Sequence, residues 1–166
     1  MKLYLIRHAI AMDYPEFNGD DSLRPLTNEG KKKFKISCQG FKKMDLSFDL
    51  ILASPYVRAQ ETAAIIHEEL NLRKPIITCP LLAPGHNSLQ LEVELGKYDE
   101  ESIAIVGHEP SISAHVACFS GGSTLTHIEM KKGSLACVEF AQKAKVGKGV
   151  LRFLLPPSVS RTIGGC

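Results

Sequence analysis

The fold is decided by a pattern that occurs twice, as LYLIRH at residues 3–8 and as IAIVGH at residues 103–108. In both places four apolar residues follow one another without interruption, and a histidine stands two residues after the run. Continuous rather than alternating apolarity is typical of a strand that is covered on both faces, as in a parallel sheet. We therefore predict two buried strands, each of which delivers an imidazole at its carboxyl end.

Short apolar runs alternate with helical patterns along the rest of the chain. The further runs lie at residues 50–53, 76–78, 135–140 and 150–155. Alternation of strands and helices is the signature of βαβ units. We expect a single α/β domain over residues 1–166, in which a mainly parallel central sheet is flanked by helices on both faces.

Start and stop signals predict where three of the helices lie. Thr27 is a predicted N-cap, and the apolar residues after it recur at helical spacing. The second helix is expected to begin with Ser54 as N-cap and Pro55 as its first residue. A third helix is predicted to open at Pro110 and to close at Gly121.

Two segments are harder to interpret. Leucine and valine alternate with polar residues over 89–95, which by period alone indicates a strand. Asn87 followed by Gln90 resembles a capping box, however, and on that ground we predict a helix. The small, polar tail from about residue 157 is expected to be frayed.

Composition and charge exclude several classes of protein. The 166 residues carry a net charge of +2, with 44% apolar and 23% charged residues, which argues against disorder and gives no support for nucleic-acid binding. No apolar stretch approaches a membrane span, and no secretory signal is recognisable. Cysteines are odd in number, lack CxxC spacing and are expected to be reduced thiols in a cytoplasmic protein. They are Cys38, Cys79, Cys118, Cys137 and Cys166.

Cationic and imidazole side chains collect where the predicted strands end. Arg7 and His8 follow the first strand, His108 follows the run at 103–106, and Arg58 lies in the first turn of the helix after the run at 50–53. Ligands of an open parallel sheet bind beyond the carboxyl ends of its strands. Two guanidinium groups suit the oxygens of a phosphate, and a neutral histidine beside them is a candidate nucleophile for phosphoryl transfer without metal or organic cofactor.

Four motif blocks resemble, in the right order, those of the histidine phosphatase superfamily, also called the phosphoglycerate mutase-like fold. The blocks are LIRHA at 5–9, RPLTNEG at 24–30, SPYVRAQETA at 54–63 and VGHEPS at 106–111. With the short length, this combination is most similar to the SixA-type phosphohistidine phosphatases. The resemblance covers residues 3–113, about two thirds of the chain, and leaves the last 50 residues with little identifying signal.

The resemblance implies a role for each matching residue. His8 corresponds to the phosphoryl-accepting histidine of the family, and Arg7 and Arg58 correspond to its two phosphate-binding arginines. His108 corresponds to the second histidine, which donates to the phosphoryl oxygens.

Arg24 is a less specific match. It aligns with the arginine before Pro-Leu-Thr and is a candidate further phosphate contact. The alternative is that it orders its own loop through Asp20 or Asp21, and the sequence leaves both interpretations open.

One departure from the family bears on the substrate. Many members carry a glutamate near the position of Ala83 that protonates an alcohol leaving group, whereas this chain has no carboxylate from Pro80 until Glu92. An imidazole leaving group has a conjugate-acid pKa near ~6.5 and can take its proton from solvent. The missing acid therefore favours a P–N substrate, with His86 as an alternative donor.

The resulting expectation is a cytoplasmic phosphohistidine phosphatase that acts through a phospho-His8 intermediate. Its expected partner is a phosphohistidine-bearing protein, either a phosphotransfer domain or a phosphocarrier, and neither nucleic acid nor membrane. The alternatives are a broad small-molecule phosphomonoesterase or mutase-like enzyme and a non-catalytic phospho-ligand binding module. A metal site built from His8, His86, His108 or His115 is disfavoured by their spacing.

Overall fold

The computed structural model describes residues 1–13, 15–122 and 127–165, so that Cys166 lies outside the described residues. The strands are β1 (Lys2–Arg7), β2 (Leu50–Ala53), β3 (Ile77–Thr78), β4 (Ser102–Gly107), β5 (Leu135–Glu139) and β6 (Val150–Leu155). The helices are α1 (Asn28–Lys43), α2 (Val57–Glu69), α3 (Ser88–Leu95), α4 (Ser111–Phe119) and α5 (Pro157–Gly165), with single 3-10 turns at Asp21–Leu23 and Pro80–Leu82. None of the described helices is long and apolar enough to cross a membrane.

The strands form one sheet in the order β3-β2-β4-β1-β5-β6. Strands β3, β2, β4 and β1 run parallel to one another, whereas β5 runs antiparallel to both β1 and β6. The prediction of a mainly parallel sheet is confirmed. Because β1 and β4 are adjacent and Arg7 pairs with Gly107, the two histidines that follow leave the same edge side by side.

Helices cover both faces of the sheet, as predicted, and each face has its own apolar core. Alternate residues of β1 serve the two sides, since Tyr4 and Ile6 pack with α1 and α2 while Leu3 and Leu5 pack with α3 and α4. Strands that are buried on both faces explain the uninterrupted apolar runs of the sequence. The described cysteines are unpaired thiols.

Local sequence signals predict where helices α1 and α3 begin, whereas α2 begins two residues later than predicted. The Thr27 hydroxyl accepts from Gly30 N at 2.9 Å as the N-cap of α1, and Asn87 and Gln90 form the capping box that begins α3. Both predictions are confirmed. Helix α2, however, begins at Val57 rather than Pro55, because Ser54 is not a cap and its hydroxyl is hydrogen-bonded elsewhere.

The expectation of a frayed tail is wrong, because residues 157–165 form α5, which packs along α1. The two helices approach so closely that a Cβ on Gly40 would collide with the Ser160 carbonyl, and one on Gly164 with the Ile36 carbonyl. Small residues at a helix crossing allow backbones to meet. The small residues that predicted a frayed tail are therefore the residues that the close packing of α5 on α1 requires.

Candidate active site

The residues predicted to meet at the carboxyl edge of the sheet do so. The rings of His8 and His108 lie 5.1 Å apart, and the ring of Tyr56 lies 5.0 Å from that of His108. The Arg58 guanidinium stacks 4.9 Å from the Tyr56 ring centre. Arg7, on the last residue of β1, is close enough for its charge, like that of Arg58, to lower the pKa of His8.

His8 is a buried, neutral imidazole with a defined tautomer. Its Nδ1 lies 2.7 Å from the Ala9 carbonyl oxygen, which can only accept, so that Nδ1 carries the proton and Nε2 carries the lone pair. Burial lowers the pKa of His8 to about 3, and the charges of His108, Arg58 and Arg7 act in the same direction. At neutral pH, Nε2 is therefore available as a nucleophile.

His108 has the complementary arrangement. Its Nε2 lies 2.8 Å from the Ser54 hydroxyl, which itself accepts from Tyr56 N at 3.3 Å. The Ser54 hydroxyl can donate its proton to Nε2, and in that tautomer the neutral His108 ring carries its own proton on Nδ1, where a ligand can accept it. Burial, followed by the charge of Arg58, lowers the pKa of His108 to about 4.

Three of the predicted site residues have a buried nitrogen that no group of the described residues engages. Among the described residues, the buried side-chain nitrogens without a hydrogen-bond partner are Arg7 Nε, Arg58 Nε and His108 Nδ1. A buried donor left unpaired costs about 1–3 kcal/mol, so native proteins rarely contain such a group without a ligand or water to satisfy it. Two unpaired guanidinium N–H groups beside an unengaged imidazole nitrogen are suited to bind an anion.

The outer nitrogens of the two arginines are held by main-chain and carboxylate oxygens. Arg7 Nη1 donates to the Met130 carbonyl at 2.7 Å. Arg58 Nη1 donates to the Asp21 carbonyl at 2.6 Å, and its Nη2 donates to the Asp21 carboxylate at 2.9 Å. These bonds fix each guanidinium plane and leave its Nε for a ligand.

Arg24 makes contacts that order its own loop, and its charge also helps to lower the pKa of His108, so that its role as a phosphate contact stays a prediction. Its Nε donates to the Asp21 carboxylate at 2.9 Å, and its Nη1 donates to the Met12 carbonyl at 2.6 Å. Asp21 therefore bridges Arg24 and Arg58. Burial alone would raise the pKa of Asp21, but hydrogen bonds to Arg58 and Arg24 outweigh it and lower this pKa below its usual range.

Sequence reasoning missed some of the residues that complete this site. Asp21 was named only as a partner for Arg24, although a carboxylate three residues before an arginine is a usable signal. Ser54 was interpreted as a helix cap, and the orienting role of its hydroxyl toward His108 gave no sequence signal. The Met130 carbonyl is a main-chain group, which side-chain patterns do not reveal.

Two of the other histidines named from the sequence lie close enough to each other for their charges to interact. His86 and His115 line a groove between α3 and α4. The Ala83 position, at the end of the 3-10 turn after β3, carries no carboxylate. Within the described ranges, no three side chains of the His, Cys, Asp or Glu type are arranged to hold a metal ion.

Comparison with known proteins identifies relatives of this chain. The sequence profile of the histidine phosphatase superfamily (branch 1) matches residues 3–83. An uncharacterized protein of Picosynechococcus sp. strain PCC 7002 is 30% identical over 139 residues, which cover 81% of this chain and 82% of that protein. Phosphohistidine phosphatase SixA of Escherichia coli K12 is 27% identical over 128 residues, covering 75% of this chain and 77% of SixA.

Solved structures share the fold over almost the whole chain. The protein histidine phosphatase SixA, complexed with tungstate, superimposes with a TM-score of 0.80 at 23% identity, covering 95% of this chain and 98% of that one. The α-ribazole phosphatase of Shigella flexneri has a TM-score of 0.76 at 20% identity, covering 95% and 97%. The architecture is therefore common to phosphatases with differently named substrates.

Proposed function

The chain belongs to the histidine phosphatase superfamily and is a phosphatase, and we propose that its substrate is a phosphohistidine side chain of another protein. One observation carries the proposal. The buried His8, with its lone pair on Nε2, shares a cluster with two buried guanidinium N–H donors and with His108 Nδ1, none of which has a partner among the described residues. A phosphoryl group offers oxygens to such donors and phosphorus to such a nucleophile.

In the first step, His8 Nε2 attacks phosphorus in line with the P–N bond of the substrate. A P–N bond forms to Nε2 while the substrate bond breaks. The substrate ring, protonated by solvent on its other nitrogen, leaves as neutral imidazole with the electron pair of the broken bond. Arg7 Nε, Arg58 Nε and His108 Nδ1 donate to the phosphoryl oxygens, where charge develops.

In the second step, water attacks the phosphorus of phospho-His8. The P–N bond breaks, its electron pair returns to Nε2, and phosphate leaves with both protons of the water. His8 is restored with its proton on Nδ1, held by the Ala9 carbonyl. The same donors serve both steps, so no group has to move between them.

The leaving group distinguishes this proposal from ester hydrolysis. An alkoxide needs a proton as it leaves, whereas imidazole accepts one from water near neutral pH. The segment 80–87, which follows β3 at the site edge, contains no carboxylic acid to supply that proton. The kinship with SixA supports a P–N substrate, whereas the α-ribazole phosphatase structure supports only the shared fold.

The test compares a ³²P-phosphohistidine protein with a phosphoserine peptide. We expect release of phosphate from phosphohistidine, an alkali-stable, acid-labile label on the quenched wild-type enzyme, and no label on His8→Ala. His67→Ala, which replaces a histidine on α2 that contacts the Lys74 carbonyl, should behave as wild type. Faster turnover of phosphoserine, or label that survives in His8→Ala, contradicts the proposal.

A further inference from the structure

A groove of about 610 Å³ runs between α3 and α4, outside the phosphoryl site. Its walls include Leu89, Pro110, Ala114 and Val146, and its lining contains no carboxylate. Leu89, which lines the groove, is 65% exposed. A concave apolar surface with an exposed large side chain on its rim is typical of a recognition site.

The groove opens beside the proposed phosphoryl site. Pro110 and Ser111 line it, and only Glu109 separates them from His108 in the chain. On the other wall, Gly85 and Asn87 belong to the loop that follows β3 at the carboxyl edge of the sheet, the edge at which His8 lies. Whatever carries the phosphoryl group into the site is therefore positioned to lie along this groove.

The walls are fixed to each other before any partner arrives. The Ser88 hydroxyl lies 2.8 Å from His115 Nδ1, which ties the start of α3 to the middle of α4. Val146 N donates to the Glu92 carboxylate at 2.7 Å, and Gly147 N donates to the Cys118 carbonyl at 2.8 Å. A preformed groove binds with a smaller loss of conformational entropy than a mobile one.

Two cations flank Val146, the residue of the 141–149 loop that lines the groove. Lys145 and Lys148 are exposed on the loop that carries Val146. Their neighbour Lys143 pairs with Asp99 at 2.7 Å, but no carboxylate of the described ranges lies within 4.0 Å of Lys145 or Lys148. Cations beside a groove without carboxylates favour a partner that has acidic residues next to its apolar ones.

Building on the proposed function, we infer that this groove docks the helix that carries the phosphohistidine of the substrate protein. The apolar face of that helix lies between α3 and α4, and its acidic side chains face Lys145 and Lys148. A groove between two helices suits a third helix, which presents side chains one turn apart. The phosphohistidine, on the same helix, then reaches the site beside Pro110.

Two variants of one helix test the inference. Leu89→Asp places a charge on the groove wall, and Val93→Asp makes the same change one turn along α3, at a side chain that is 71% exposed and does not line the groove. The protein substrate is a four-helix phosphotransfer domain phosphorylated on its histidine with phosphoramidate, and the small substrate is free phosphohistidine. Circular dichroism confirms that both variants are folded.

Leu89→Asp should lower kcat/KM for the protein substrate about tenfold or more, through KM, and leave that for free phosphohistidine within about twofold. Val93→Asp should change neither. Exchanging Lys145 and Lys148 for glutamate should raise KM for the protein substrate and weaken its dependence on salt.

Other outcomes overturn the inference in distinguishable ways. If wild type hydrolyses both substrates and Leu89→Asp matches Val93→Asp, the groove does not dock the substrate, while the proposed function stands. If Leu89→Asp slows both substrates equally, or if light scattering shows a wild-type dimer that Leu89→Asp separates, the docking assignment is wrong. If wild type hydrolyses neither substrate, the proposed function fails first.

Discussion

At the scale of single residues, the site is defined by which nitrogen of each histidine is already engaged. The Ala9 carbonyl engages His8 at Nδ1, whereas the Ser54 hydroxyl engages His108 at Nε2. The unengaged nitrogen of His8 is therefore Nε2, which carries a lone pair, and that of His108 is Nδ1, which is a donor when the Ser54 hydroxyl donates to Nε2. Neither tautomer could be predicted from the sequence, because one depends on a main-chain carbonyl and the other on a hydroxyl from a different strand.

The low pKa of His8 predicts that its ring stays neutral well into the acid range. Since burial lowers this pKa to about 3, we expect no protonation of His8 between pH 8 and 5, where an ordinary histidine titrates near ~6.5. Nitrogen-15 NMR of the imidazoles, assigned by comparison with His8→Ala, should show a proton fixed on Nδ1. A His8 signal that titrates near neutral pH contradicts this account.

The Asp21 carboxylate predicts a gain in phosphate affinity when its charge is removed. The negative charge of Asp21 disfavours the binding of an anion at Arg58. In the Asp21→Asn variant, Arg58 Nη1 can still donate to the main-chain carbonyl of residue 21. Asp21→Asn should tighten inhibition by inorganic phosphate about 3- to 10-fold, as expected for about 1 kcal/mol of charge interaction. Asp20→Asn, which changes a neighbouring carboxylate that caps the 3-10 turn, is the matched control. Weaker inhibition in Asp21→Asn would show that the carboxylate mainly orients Arg58.

At the scale of elements, sequence patterns were reliable where one force dominates. The strands could be predicted because burial on both faces requires continuous apolar runs. Helix α3 could be predicted because its capping box was given more weight than the strand-like alternation of apolar and polar residues over 89–95. Leu89 and Val93 explain that alternation, since both are exposed. Helix α5 was missed because close backbone packing requires small residues, which by composition resemble a tail.

The contact between α1 and α5 predicts that its glycines are intolerant of any side chain. Gly40→Ala should lower the free energy of unfolding by about 1–3 kcal/mol, because the added methyl group collides with the Ser160 carbonyl. Gly165→Ala, at a position where a Cβ meets nothing within 4 Å, is the control and should not destabilise the protein. Urea unfolding measures both, and equal stability of the two variants would refute the packing argument.

At the scale of the whole molecule, the sequence predicts that the site residues meet at one edge of the sheet, but it does not predict the contacts that the neighbouring loops make with them. Arg7, His8 and His108 follow from strand ends that share one edge, and this needs only the order of the elements. The Asp21 interactions depend on how the segment before α1 folds over α2, and that segment has no periodicity from which to infer it.

Buried neutral histidines predict a loss of stability in mild acid. His115, like the two site histidines, has its pKa lowered by burial, in its case to about 4. Between the unfolded value near ~6.5 and pH 4, the unfolded chain binds protons that the folded one does not, so stability falls as pH falls through that window. In His115→Gln, the free energy of unfolding should fall less steeply as pH falls, and at pH 4 the loss should be smaller than in wild type by roughly 3 kcal/mol. Urea unfolding at several pH values measures the slope, and an unchanged slope contradicts the prediction.

The pairing of Arg7 with Gly107 has one more consequence. The main-chain hydrogen bonds between β1 and β4 set the separation of the two imidazoles. These bonds do not depend on which side chains the strands carry. Insertion of a single residue within β1 would move every following side chain of that strand to the opposite face of the sheet. Exchange of one aliphatic residue for another would leave the faces unchanged. Over evolutionary time, descendants of this protein are freer to vary what fills these strands than how many residues they contain.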